Sequence, residues 1–225
     1  MSNDIFECIS LVKQYKRNNK IFTALSDINL TVSGNETLLI KGRSGAGKST
    51  LIHLMCGLIK PTSGRVNYKG ITISKTDNSL LSRFLLNDVG IIFQNFNLLP
   101  TYNVYENIEI GIIPKSPDPQ KSRDKILEYL NHFQLADKIN YFPAELSVGQ
   151  QQKVAVIRTL VKDPSVIFAD EPTGSVDDQS ASEILDQLQK LKKEKKLTLI
   201  MATHGNIPDQ YADRIIVLEN GKISN

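Results

Sequence analysis

The chain has 225 residues, 40% of them hydrophobic and 23% charged, with a formal net charge of +3. That length supports one substantial core, or a core with a small subdomain, and the composition is that of an ordinary globular protein. So mild a positive charge gives no argument for nucleic acid or an anionic membrane surface as the partner.

Along the chain, "INLTV" (28–32) alternates apolar and polar residues and reads as a half-buried strand. "ETLLIKG" is a short apolar run ending in glycine, a buried strand, and "KSTLIHLMCGLI" follows at helix length. "TSGRVNYKGITIS" is punctuated by glycine and reads as a hairpin. From Asn97 to about Lys162 the chain is loop-rich, then helical. Pro114, Pro117 and Pro119 should break structure there, and Ile126, Leu130 and Phe133 then recur at helical spacing. The last third returns to alternation. "SVIFADEP" and "LTLIMATH" read as buried strands, and Ile184, Leu185, Leu188 and Leu191 form a helical stripe between them. "KKEKK" (192–196) reads as a solvated helix end, and Asn220-Gly221 in "IIVLENGKI" as a hairpin turn. Apolar strands alternating with helices imply a mainly parallel α/β core, with the helical middle inserted into it.

Cys8 and Cys56 lack metal-ligand or redox spacing and read as small, partly buried hydrophobes. The opening "MSNDIFECIS" has early acids and no long apolar run, so it does not read as a signal peptide. No stretch approaches the ~18 apolar residues of a membrane span. The expectation is a cytosolic protein that reaches a membrane only through another chain.

"GRSGAGKS" satisfies G-x-x-x-x-G-K-[ST], with Gly42, Gly47, Lys48 and Ser49 at the fixed positions, between a strand and a helix. Glycines let backbone N–H groups turn inward on phosphates, and the helix start adds its positive dipole end. Lys48 can reach the β and γ phosphates, and the Ser49 hydroxyl can hold Mg²⁺. "VIFADE" should deliver Asp170 to the carboxyl end of a strand as the Mg²⁺-side acid, with Glu171 beside it to take a proton from attacking water. His204, ending "MATH", is placed to contact the γ-phosphate and that water.

The order of these motifs, with "LSVGQ" and "TGSVD" between them, resembles the ATP-binding subunit of ABC transporters, and the resemblance runs from about Ile5 to Ile223. It implies a P-loop NTPase core (about 1–96 and 163–225) with an N-terminal antiparallel β subdomain and an inserted helical subdomain (about 97–162), in a single domain spanning 1–225. It implies an ATPase using ATP and Mg²⁺. The ATP-binding residues would be Gly42, Arg43, Ser44, Gly45, Ala46, Gly47, Lys48, Ser49 and Thr50, with Tyr15 stacked on adenine. Gln94 in "IIFQN" would touch Mg²⁺ or water and sense the membrane subunit; Ser49, Gln94 and, through water, Asp170 would hold the metal. Glu171, His204 and Gln94 would be catalytic. Two copies would pack head to tail, so that Ser147, Gly149, Gln150 and Asp177 contact the ATP held by the other copy. The partners implied are that second copy and an integral membrane permease, with no nucleic acid, at the inner face of the cell membrane.

The sequence departs from the family pattern at Val148, where "LSVGQ" lacks the first glycine of LSGGQ, at Lys153 in place of arginine, and at Gly205 in place of an acid. "FNLLPTYNVYENI" and "PAELSVGQQQKVAVIRTL" look most like the group serving lipoprotein release, macrolide or antimicrobial-peptide export, and the related cell-division ATPase. An ATPase regulating a membrane cell-division or cell-wall complex without transport is the alternative. A nucleotide-binding module with little turnover fits less well, since both water-handling positions are filled.

Overall fold

The computed structural model describes residues 4–18, 20–115, 118–205 and 207–224. The chain opens with two long strands, β1 (Asp4–Arg17) and β2 (Lys20–Ser33), then β3 (Thr37–Lys41), α1 (Lys48–Met55) and a hairpin of β4 (Ser63–Tyr68) and β5 (Ile71–Thr72). Helix α2 (Asn78–Asn87) leads into β6 (Val89–Ile92), and three helices follow, α3 (Val104–Glu109), α4 (Pro119–His132) and α5 (Val148–Leu160). Then come β7 (Val166–Asp170), α6 (Asp178–Lys195), β8 (Thr198–Thr203), β9 (Arg214–Glu219) and β10 (Lys222–Ser224).

Six strands form one sheet in the order β10-β9-β3-β8-β7-β6. Its pairings are parallel from β9 to β6, while β10 turns back on β9 through Asn220 and Gly221. Both of those residues have positive φ (49° and 75°), as a two-residue hairpin requires. The other four strands make an antiparallel sheet, β2-β1-β4-β5.

The apolar runs of β3, β7 and β8 lack polar alternation because both faces of the parallel sheet are covered. Leu39, Ile167, Ala169, Leu199 and Met201 point into one core with α3, α4, α5 and α6. Leu38, Ile40, Val166, Phe168, Ile200 and Ala202 point into the other, with α1, α2 and the antiparallel sheet. Phe168 meets Phe6 edge to face, centroids 5.5 Å apart, which joins the two sheets; such a pair adds about 0.5–1.5 kcal/mol to the area it buries.

Four local expectations change. The "KSTLIHLMCGLI" helix stops at Met55, because Gly57 takes φ +77° and ends it. Pro119 begins a helix instead of breaking one: it occupies the first turn of α4 behind an Asp118 cap, where its missing N–H costs nothing. Pro114 lies in a turn, and Pro117 is outside the described residues. The "KKEKK" run is not wholly solvated. Lys192 pairs with Asp213, and Lys195 reaches Asp163 (2.8 Å) and the Tyr129 hydroxyl (2.7 Å). Strand β1 and helix α2 are elements that the sequence reading did not contain.

Candidate functional site

Parallel strands deliver their carboxyl ends to one edge, and the sequence motifs sit there. Strand β3 runs into the 42–47 loop, β7 ends at Asp170, β8 runs into His204, and β6 into Gln94. Gly47 takes the cap position of α1 with φ +106°, and no side chain caps the helix. A Cβ there would come 2.7 Å from the Ala24 carbonyl oxygen and 2.8 Å from Leu25 Cδ2, so only glycine fits. The uncapped first-turn N–H groups of α1 are left to face an anion.

Lys48 is only 6% exposed. Its ammonium donates to the carbonyls of Gly42 (2.9 Å) and Arg43 (3.3 Å) and lies 3.6 Å from Glu171 Oε1. Glu171 is itself in the left-handed region, φ +52°, a conformation costing a non-glycine residue about 1–2 kcal/mol. Three contacts hold it there: its N–H donates to the Ala202 carbonyl (3.0 Å), Lys48 flanks one carboxylate oxygen, and His204 Nδ1 lies 2.8 Å from the other. A carboxylate on a strained backbone, gripped between an ammonium and an imidazole, is a group that can take a proton from a neighbouring water.

The cleft in front of these groups measures about 550 Å³ and is lined by Tyr15, Phe22, Ala24, Ser44, Gly45, Gly47, Lys48, Ser49, Thr50, Gln94, Glu171 and His204. Arg43 and Ala46 line an adjoining hollow behind the loop. Tyr15 and Phe22 are cross-strand partners on β1 and β2, 42% and 60% exposed. Lys13 lies 5.1 Å above the Tyr15 ring. Phe22 escaped the sequence reading. The signal was present, since both aromatics stand equally far from the turn between Arg17 and Lys20.

The residues of "LSVGQ" lie apart: among the described residues lining the cleft, none comes from 146–150. Ser147 caps α5, accepting from the Gln150 N–H (3.3 Å), while the Gln150 side chain accepts from the Ser147 N–H (2.9 Å). Gln151 donates to the carbonyls of Pro143 (3.0 Å) and Leu146 (3.2 Å), and buried Gln152 to the carbonyl of Pro172 (2.7 Å). Val148 is exposed, whereas Gly149 is buried, with a Cβ there only 2.5 Å from Ser180 Oγ. Asp177 caps α6, accepting from the Ser180 N–H (2.9 Å) and hydroxyl (2.8 Å), and these bonds hold its carboxyl below the usual range. Lys153, in place of arginine, pairs with Glu183 at 2.6 Å.

A family model described as "ABC transporter" matches residues 25–174. The chain belongs to the ABC transporter family. It is an ATP-binding subunit of the ABC type, an ATPase. The cassette is 39% identical over 190 residues to the ABC transporter ATP-binding protein YtrE of Bacillus subtilis, covering 84% of this chain and 82% of that one. It is 34% identical over 219 residues to the lipoprotein-releasing system ATP-binding protein LolD of Wigglesworthia glossinidia brevipalpis, covering 97% and 96%. The dimeric structure of MJ0796 superposes with a TM-score of 0.92 at 34% identity, over 98% of this chain and 97% of that chain. MJ0796 is an uncharacterized ABC transporter ATP-binding protein of Methanocaldococcus jannaschii, and its post-hydrolysis form, bound to ADP and Pi, also superposes at 0.92.

The ABC cassette's residues fit a magnesium ion. Asp170, next to Glu171 at the end of β7, is not among the residues lining the cleft, but its Oδ1 is buried without a hydrogen-bond partner, and Ser49 and Gln94 both line the cleft. Among the described residues no three His, Cys, Asp or Glu side chains gather into a metal cage. No helix among the described residues is long and apolar enough to cross a membrane.

Proposed function

We propose that this cassette binds MgATP in the cleft, that Glu171 activates the attacking water, and that a second copy of the chain completes each site to drive a separate membrane permease. Tyr15 and Phe22 offer a platform for adenine, and residues 42–50 wrap the phosphates. Ser49 and Gln94, with Asp170 through water, would hold Mg²⁺, which would supply positive charge to offset that of the phosphates. A γ-phosphate draws the Lys48 ammonium away from Glu171, now 3.6 Å from it. The freed carboxylate takes a proton from water, steadied by His204 on its other oxygen. Ser147, Gly149, Gln150 and Asp177 address the ATP of the other copy, and Gln94 passes closure to the permease. The chain then works at the inner face of the cell membrane, held there by the permease. Similarity to a lipoprotein-releasing ATPase supports the export group.

The observation that carries this reading is the separation of two half-sites. Lys48, Glu171 and His204 share one cleft, while the start of α5, capped by Ser147, lies outside its lining. A signature set apart from its own cradle fits a role on the phosphate held by a second copy. Two variants test it in mixture. Lys48→Ala spoils the cradle and Ser147→Arg the signature, so their heterodimer keeps one intact composite site. ATP-dependent crosslinking should appear in the mixture and in neither variant alone. Ser147→Arg also removes a helix cap worth about 1 kcal/mol, so its melting curve must show a folded protein. No heterodimer, under conditions where the wild type dimerises, removes the role given to Ser147 and Gly149.

A further inference from the structure

We infer that Gln152 is a positioning residue that couples the helix addressing the partner's nucleotide to the loop carrying this chain's own base; the inference rests on the head-to-tail reading above. Gln152 sits on α5, five residues after its Ser147 cap, and is 1% exposed. Its amide donates to the carbonyl of Pro172, the residue after Glu171, at 2.7 Å. Its other amide atom, Oε1, is buried with no hydrogen-bond partner. A buried acceptor left unpaired costs stability, so packing alone would favour an apolar side chain of this size. What the amide provides is the bond to Pro172.

That bond falls on a segment with a conformation to maintain. Glu171 is held at φ +52°, and the Gly174 N–H donates to the Glu171 carbonyl at 3.1 Å. Farther along, Ser180 is clasped to Asp177 and packs against Gly149 of α5. The first turns of α5 therefore touch both ends of the stretch from Pro172 to Ser180. When a nucleotide on the partner draws in the start of α5, the Pro172 carbonyl moves with it, and so does the peptide that orients Glu171. Lys153 and Glu183 tether α5 to α6 independently at 2.6 Å, so loss of the Gln152 amide leaves the helix attached.

The variant is Gln152→Met, which keeps length and volume and removes the donor. Steady-state hydrolysis should show kcat lowered at least tenfold with KM within threefold of wild type. In a Glu171→Gln background, the added Gln152→Met should leave ATP-driven dimerisation within threefold, because the signature still meets its phosphate. An unchanged kcat, or a loss confined to KM, overturns the inference. So does loss of dimerisation, which would make Gln152 part of the signature's own shape. Should Gln152→Met fail to fold, Gln152→Asn draws the amide back by one methylene and carries the same expectation. Failure of the Glu171→Gln chain itself to dimerise in ATP would overturn the two-copy reading instead, and is told apart by that control.

Discussion

Alanine at Gly47 would test the claim that the phosphate loop is shaped by close packing as well as by backbone freedom. Two costs are separable, because Gly70 in the β4–β5 turn shares one of them. Gly47 and Gly70 both have positive φ, +106° and +79°, so alanine at either incurs the left-handed penalty of about 1–2 kcal/mol. At Gly70 a Cβ meets no atom within 4 Å; at Gly47 it lies 2.7 Å from a backbone oxygen and 2.8 Å from a leucine methyl. Overpacking of that kind adds roughly 1–3 kcal/mol. For a chain of this size each kcal/mol moves Tm by about 2–4 °C. Gly70→Ala should therefore melt about 2–8 °C below wild type, and Gly47→Ala a further 2–12 °C or so below that. The methyl at 47 also displaces the first turn of α1, so MgATP titration should weaken at least tenfold in that variant and by less than twofold in Gly70→Ala. Equal Tm losses in the two variants would refute the reasoning, since the clash would then carry no energy.

Lys48→Ala removes a charge-assisted phosphate contact of about 1.5–3 kcal/mol, so calorimetry should show MgATP binding weakened roughly 10- to 150-fold; equal affinity would remove Lys48 from the cradle. Asp163 gives a pH prediction. Burial alone would raise its carboxyl, but Lys125 and Lys195 outweigh burial and hold it below the usual range. Its stabilisation is thus whole above about pH 4 and is lost as pH falls through the lowered folded value. Asp163→Asn, which tolerates the φ of +50° found there, should melt below wild type at pH 7, with the difference closing toward pH 3. A difference of equal size at both pH values would count against the ion pairs as its source.

How much of this was legible in the sequence depended on whether local periodicity survived packing. The strands of the parallel sheet were visible because two covered faces leave unbroken apolar runs such as "TLLIK" and "VIFAD". Strand β1 was not, because its phase slips. Phe6 and Cys8 face the core in one register, Ser10 takes φ +42°, and Leu11 faces it in the next. Helix α2 was legible and passed over: Leu81, Phe84 and Leu85 stand at helical spacing on the core side, behind an Asp77 cap. In the site, the phosphate loop and the acids announced themselves by spacing. Gln152 and Ser180 did not, since each meets its partner from a segment distant in sequence. Glycine at 149 was expected to permit approach to a nucleotide. Ser180 of the same chain also requires it, and no reading of "LSVGQ" alone could have revealed that.

The placement of β3 between β8 and β9 has a consequence in time. Both of its neighbours lie beyond residue 197, and the Gly221 N–H donates to the Ala46 carbonyl at 3.1 Å, bracing the loop from behind. Gly42 packs on the backbone of Leu218. On a ribosome adding roughly 5–20 residues per second, the nascent loop waits on the order of 10–35 s for these supports to emerge. Until then β3 is an apolar strand with both sheet edges unpaired. The phosphate loop has its full set of supports only once synthesis has passed the β9–β10 turn.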